Sequence, residues 1–259
     1  MIIFILLLGL AVGSFVGAYS YREPRGLSVW CGRSVCPKCK ARIAWYDNLP
    51  LISFLALKAK CRSCRKQISP RYFIIELAGL IGFVSVFLSF PYLTQSLVWV
   101  IKLPYFIQLV YVFFVMAALI AIFVIDWEHK LILDENVFFP FLATVVILAF
   151  FVPENLYEHL LAGFGSSLFL LVVHLITKGR GMGLGDVKLA LFLGTVAGIW
   201  GSFVYMFWAF IVGALTGITL IFLGKKQMSS QIAFGPFMII GFVIFLLTSS
   251  FFAHWFLFF

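Results

Sequence analysis

Apolar stretches long enough to cross a lipid bilayer recur along almost the whole chain, and no other feature restricts its fold so tightly. A helix needs roughly 20 apolar residues to span the hydrocarbon. Candidate runs fall at 1–20, 72–92, 104–126, 137–152, 160–177, 188–203, 204–224 and 234–256. The division between the sixth and seventh is placed near Gly201-Ser202 by length alone, because polarity does not break there. A chain of 259 residues that is 63% hydrophobic and 11% charged has more apolar surface than a soluble core can bury. The expected fold is therefore all-α, a polytopic membrane protein of about eight transmembrane helices.

Basic residues orient it, since cytoplasmic loops are enriched in Lys and Arg. With the N-terminus outside, loops 21–71, 127–136, 178–188 and 225–233 face the cytoplasm. They hold 12, 1, 3 and 2 basic residues, 18 of the 19, leaving only Lys102 outside. This places the chain in the inner (cytoplasmic) membrane as a multi-pass protein. The first segment has no basic residue ahead of its apolar run and reads as an uncleaved span. The net charge of +9 is concentrated in one juxtamembrane loop, where anionic membrane lipids are the nearest partner. Nucleic acid is not an expected partner, because Trp30, Trp45 and Tyr46 are too few aromatics for a stacking platform.

That loop carries Cys36-x-x-Cys39 and Cys61-x-x-Cys64. Each C-x-x-C turn points two sulfurs at one place, so the two together can close a tetrahedral thiolate cage around a structural zinc ion, as in a zinc ribbon. The competing readings are two disulfides, disfavoured in a reducing cytoplasm, or four unrelated thiols. Cys31 falls outside the pattern. A metal with four protein ligands has no open position for water, so its expected part is structural. The chain thus divides into a first transmembrane helix (1–20), a cytoplasmic zinc-binding loop built on the four cysteines (21–71) and a transmembrane core (72–259).

Charged groups at membrane depth are costly and therefore informative. Asp126 closes the third run and Asp186 opens the sixth, both at the cytoplasmic edge in this topology. If two carboxylates from separate helices meet, they share a proton, because adjacent like charges in a poorly solvated site cannot both ionise. Such a pair activates water against a peptide carbonyl, as an aspartic peptidase does. Gly183 and Gly185 leave the backbone beside Asp186 unshielded, open to an extended substrate strand. The plainer alternative is that Asp186 caps a helix.

The chain resembles the type IV prepilin peptidases, membrane aspartic proteases with a G-x-G-D motif. The resemblance runs through Gly13-Ser14-Phe15 with Tyr21-Arg22 and Pro24-Arg25, both cysteine knuckles, Asn48 to Ser53, and Ile68 through Arg71-Tyr72 to Glu76. It continues through Ile125-Asp126, Gly183-Leu184-Gly185-Asp186-Val187-Lys188 and Phe234-Gly235-Pro236-Phe237. It implies catalysis by Asp126 and Asp186, with prepilin or pseudopilin precursors as substrates, cut after glycine between a short basic leader and a hydrophobic helix. It also implies methylation of the new N-terminal amine from S-adenosylmethionine. Val16-Gly17-Ala18 and Phe54 depart from the family's usual residues.

The other acids have simpler readings. Asp134 and Glu135 are solvated loop residues, although the family often has an Asp at the first position. Glu76 either has a structural role or faces a cationic methyl donor. His129 and His174 lack metal-ligand spacing. Gly194-x-x-x-Gly198 and Gly213-x-x-x-Gly217 fit close helix packing. Two other classes compete: a proton-coupled small-solute transporter, whose site would lie near the midplane between repeated halves, and a scaffold docking partners through its zinc loop, in which Asp186 would be dispensable.

Overall fold

The computed structural model describes residues 2–29, 34–179, 181–223 and 233–256; Cys31 lies outside the described residues. Among these, ten α-helices follow one another: α1 (Ile2–Arg22), α2 (Ile52–Ala56), α3 (Pro70–Leu88), α4 (Phe90–Ser96), α5 (Val98–Ile101), α6 (Tyr105–His129), α7 (Asp134–Phe151), α8 (Pro153–Ile176), α9 (Leu184–Phe222) and α10 (Gly235–Phe256). No strand occurs among the described residues, only two isolated β-bridges. Six of the helices, α1, α3, α6, α7, α8 and α9, are long and apolar enough to cross a membrane. Their outer faces carry exposed Phe139, Phe150, Leu168 and Phe203, as suits a lipid surround.

The chain forms two compact units, Met1–Leu88 and Ser89–Phe259. Helix α3 belongs with α1, whereas the sequence division grouped it with the core from residue 72 onward. The cause is a glycine seam. A Cβ on Gly79 would stand 2.8 Å from the α-carbon of Gly13, and one on Gly13 2.8 Å from that of Glu76. Backbones this close hold two membrane helices together by dispersion without interposed side chains. At the end of the seam Arg71 of α3 donates to the Gly17 carbonyl at 3.1 Å and to Ser20 Oγ at 2.7 Å.

In the second unit α9 is the central element, packed against α8, α10 and α7, while α10 also meets α6 and α4. Helix α9 is one run by hydrogen bonding but not one rod. Tyr205 Oη donates to the Ala190 carbonyl at 3.5 Å, although 15 residues of straight helix would separate them by about 22 Å. The chain doubles back at Gly198, whose φ of +73° and ψ of −179° suit glycine alone. Its two arms, 184–197 and 199–222, together with α10, bring the apolar helical segments to the eight expected.

The break lies at Gly198 rather than at Gly201-Ser202, and the reason is physical. A reversal frees the carbonyls just before it, and here buried side chains meet them in place of a polar loop. His159 Nδ1 contacts the Thr195 carbonyl at 2.7 Å and Trp99 Nε1 donates to the Val196 carbonyl at 3.1 Å. A carbonyl only accepts, so His159 carries its proton on Nδ1. Each buried carbonyl left unmet would cost about 1–3 kcal/mol. Gly198 is thus a turn residue and not part of a packing motif. Gly194 does pack closely, its Cβ position 2.8 Å from the Ala162 carbonyl, but Gly217 has nothing within 4 Å.

Candidate active site

Asp126 sits one turn before the end of α6, where Lys130 adopts a left-handed conformation and donates its N–H to the Asp126 carbonyl at 2.9 Å. Residues 131–133 then link to α7 without regular secondary structure, ending on an extended Leu133. Asp186 lies in the first turn of α9, and its Oδ2 accepts the backbone N–H of Gly183 at 3.1 Å. That bond is half of a capping box; Gly183, at the N-cap, has no side chain to complete it. The helix-cap reading of Asp186 therefore holds, and does not exclude a second task.

Both carboxylates are buried, 4% and 7% exposed, and they are close enough for the charge of Asp126 to act on Asp186. The backbone amide of Gly235, at the N-terminus of α10, faces both. Helix N-termini favour negative charge through their unpaired N–H groups, so α10 presents its positive end to the pair. Asp126 Oδ2 is fully buried and accepts no hydrogen bond among the described residues. A buried carboxyl oxygen without a partner is normally expensive, and beside a second carboxylate it marks a candidate functional group.

The surroundings tighten the pair. A Cβ on Gly235 would overlap Asp126 Oδ2 and stand 3.1 Å from Ile132 Cδ1, while one on Gly185 would stand 3.0 Å from Ile132 Cβ. Lys188, two residues beyond Asp186, pairs with Asp134 of α7 at 2.5 Å. Asp134 is thus neither merely solvated nor in contact with the carboxylates: it ties α7 to the start of α9. His174 Nδ1 contacts the Met182 carbonyl at 2.6 Å and steadies the approach to Gly183. His129 lies 3.8 Å from Glu128. Sequence reasoning gave no role of its own to Gly235, Ile132 or His174; the Phe234-Gly235-Pro236-Phe237 match was the signal available for the first.

The four cysteines of the first unit also come together. Their sulfurs all lie within 4.8 Å of one another, with Cys36 and Cys64 4.0 Å apart and unbridged. A tetrahedron with Zn–S of 2.3 Å has edges of about 3.8 Å, so the donor set fits zinc after a small contraction. Both knuckles share one hydrogen-bond pattern. Cys36 N–H donates to Ala41 and Lys40 N–H to Cys36, and Cys61 N–H donates to Lys66 and Arg65 N–H to Cys61, each at 2.9 Å. Lys40 and Arg65 are both left-handed. The Cys39 backbone N–H pulls the Cys36 thiol down to about 6 against burial, favouring the thiolate a metal requires. Arg62 forks onto Asp47 at 2.6 and 2.8 Å and holds that carboxyl below its usual range.

Glu76 accepts the N–H of Leu51 at 2.8 Å, and Leu51 itself is held at a φ of +58°. The carboxylate thus anchors a strained turn of the loop to α3, the structural role among its two readings.

A multi-pass helical membrane protein with two buried carboxylates at helix ends, and a separate four-thiol cluster, is the class this architecture defines. The match to the bacterial peptidase A24 N-terminal domain covers residues 7–90, and that to the type IV leader peptidase family covers residues 112–218. The chain belongs to the type IV leader peptidase family. It is 31% identical to the prepilin leader peptidase/N-methyltransferase of Vibrio cholerae, over 92% of this chain and 93% of that one. To the protein of the same name from Bacillus subtilis it is 30% identical, over 94% and 93%. No solved structure matches it significantly. These relatives lend no support to the transporter alternative.

Proposed function

We propose that the protein is a membrane aspartic endopeptidase that removes the basic leader from type IV prepilin-like precursors after glycine and then methylates the new N-terminal residue. The observation that carries the peptidase reading is that Asp126 and Asp186, from different helices, are both buried and interact, with Asp126 Oδ2 unpaired and packed against Gly235 at the start of α10. One proton is shared between them. The ionised carboxylate takes a proton from water as its oxygen adds to the peptide carbonyl carbon, and the protonated one donates to the carbonyl oxygen. Collapse of the tetrahedral adduct breaks the C–N bond: the departing amine takes the proton that the first carboxylate had received, and a hydroxyl of the adduct returns its proton to the second, restoring the shared proton. Gly183 leaves the backbone beside Asp186 unshielded by a side chain, while Ile132 packs into the corresponding space at Gly185.

The proposed arrangement assigns cleavage to the second unit, Ser89–Phe259, and a structural zinc ion to the four cysteines of the loop at 21–71. S-adenosylmethionine supplies the methyl group for the second step, whose requirements differ: a neutral amine must be aligned with a sulfonium rather than activated by paired carboxylates. The concentration of basic residues in the cytoplasmic loops puts the carboxylates at the inner-membrane face that the leader reaches, beside anionic lipids.

Co-expression with a prepilin-like precursor tests the whole reading by mass spectrometry of the product. Loss of the leader plus a gain of one methyl is expected. An intact precursor would reject the function, and a shortened but unmethylated product would leave a peptidase alone. Purified protein is expected to carry about one zinc per chain, and Cys36→Ser with Cys39→Ser to carry almost none, since two thiolates cannot close the cage. Equal metal content in both would reject these ligands.

A further inference from the structure

We propose that Ile132 is the residue that restricts the position just before the scissile bond to glycine, an inference that rests on the peptidase reading above. The carbonyl carbon to be attacked must lie against Asp126 and Asp186. Its own α-carbon is then only about 1.5 Å away, so any side chain on that residue enters the space immediately beside the carboxylates.

Ile132 already occupies that space. Its Cβ, Cγ1 and Cδ1 stand 3.0, 3.3 and 3.4 Å from the position of a Cβ on Gly185, the neighbour of Asp186. Its Cδ1 stands 3.1 Å from the position of a Cβ on Gly235, the same point that Asp126 Oδ2 overlaps. The side chain therefore bridges the first turns of α9 and α10 on the side where the unpaired oxygen of Asp126 lies. It is half-buried, so part of the side chain remains exposed. Being β-branched, it has little χ1 freedom with which to swing aside. It also sits in the short link 131–133 between α6 and α7, whose far end is fixed by the Asp134–Lys188 pair. Ile132 thus fills the space that Gly185 and Gly235 leave by lacking side chains, and leaves none there for a substrate side chain.

The test uses the full-length protein in lipid or detergent and two precursors that differ only in having Gly or Ala before the scissile bond. The ratio of kcat/KM for the two is compared between wild type, Ile132→Ala and Ile132→Leu. Ile132→Ala is expected to raise Ala-substrate cleavage relative to Gly by at least tenfold, while Ile132→Leu, which keeps the volume but not the branch at Cβ, is expected to move the ratio by less. If Ile132→Ala does not fold, Ile132→Val, which loses one methyl, is expected to move the ratio the same way by a few fold. An unchanged ratio in the folded variants, with the Gly precursor still cut, would overturn the assignment of Ile132 alone. Wild type that cuts neither precursor would overturn the peptidase reading and this inference together.

Discussion

Asp126→Asn and Asp186→Asn are each expected to leave a folded, membrane-inserted protein that processes precursor at least about 10³-fold more slowly than wild type, within the range that general acid–base groups contribute. Asn keeps the shape of the side chain, and at position 186 it still presents an oxygen to the Gly183 N–H. What it cannot do is exchange a proton with water or with a carbonyl. Cleavage assayed with full-length protein and a leader-bearing precursor measures the loss, and a thermal melt verifies the fold. Near-normal processing by either variant would remove that residue from the chemistry. Glu135→Gln, an exposed change in the first turn of α7, is the matched control and is expected to behave as wild type.

The second large effect is expected at a residue with no functional group. Gly235→Ala places a methyl group where Asp126 Oδ2 now stands. The obstructing atoms are the tips of two side chains, Asp126 and Ile132, rather than backbone, so the fold can yield and the site cannot. Displacing the carboxylate by about 1 Å is expected to lower kcat/KM roughly 10²-fold while the melting temperature changes little. Gly213→Ala, where the added atom would meet Phe234 and Phe237 at an ordinary 3.5 Å, is expected to leave the rate intact. Equal rates for Gly235→Ala and wild type would mean that the pair tolerates more freedom than the geometry allows.

The two carboxylates and the cysteine cluster could be read from sequence for different reasons. A C-x-x-C turn is local, so spacing alone brings Cys36 to Cys39 and Cys61 to Cys64, and only the joining of two such turns depends on the fold. Asp126 and Asp186 stood out because ionisable groups at membrane depth are scarce. Ile132 and Gly235 carry no such mark: an isoleucine and a glycine are ordinary in an apolar chain, and their importance comes from the meeting of a link, α9 and α10. The reversal at Gly198 was hidden in the same way. Turns in soluble proteins announce themselves through polar residues that substitute for water, whereas here the freed carbonyls are met by Trp99 and His159, 97 and 36 residues from their partners in sequence.

That reversal also decouples one helix from the thickness of the membrane. The arm from 184 to 197 counts 14 residues, about 21 Å of helix, against about 30 Å of hydrocarbon. An arm with one end level with a membrane surface stops about 9 Å short of the other, with its turn at a depth where bare backbone cannot face lipid. The buried Trp99 of α5 reaches that turn through its bond to the Val196 carbonyl, and Lys102, just beyond α5, is held to Glu154 of α8 at 2.8 Å. The arm bearing Asp186 is thereby released from the length match that an ordinary span must satisfy, and its depth is set by protein rather than by the lipid around it.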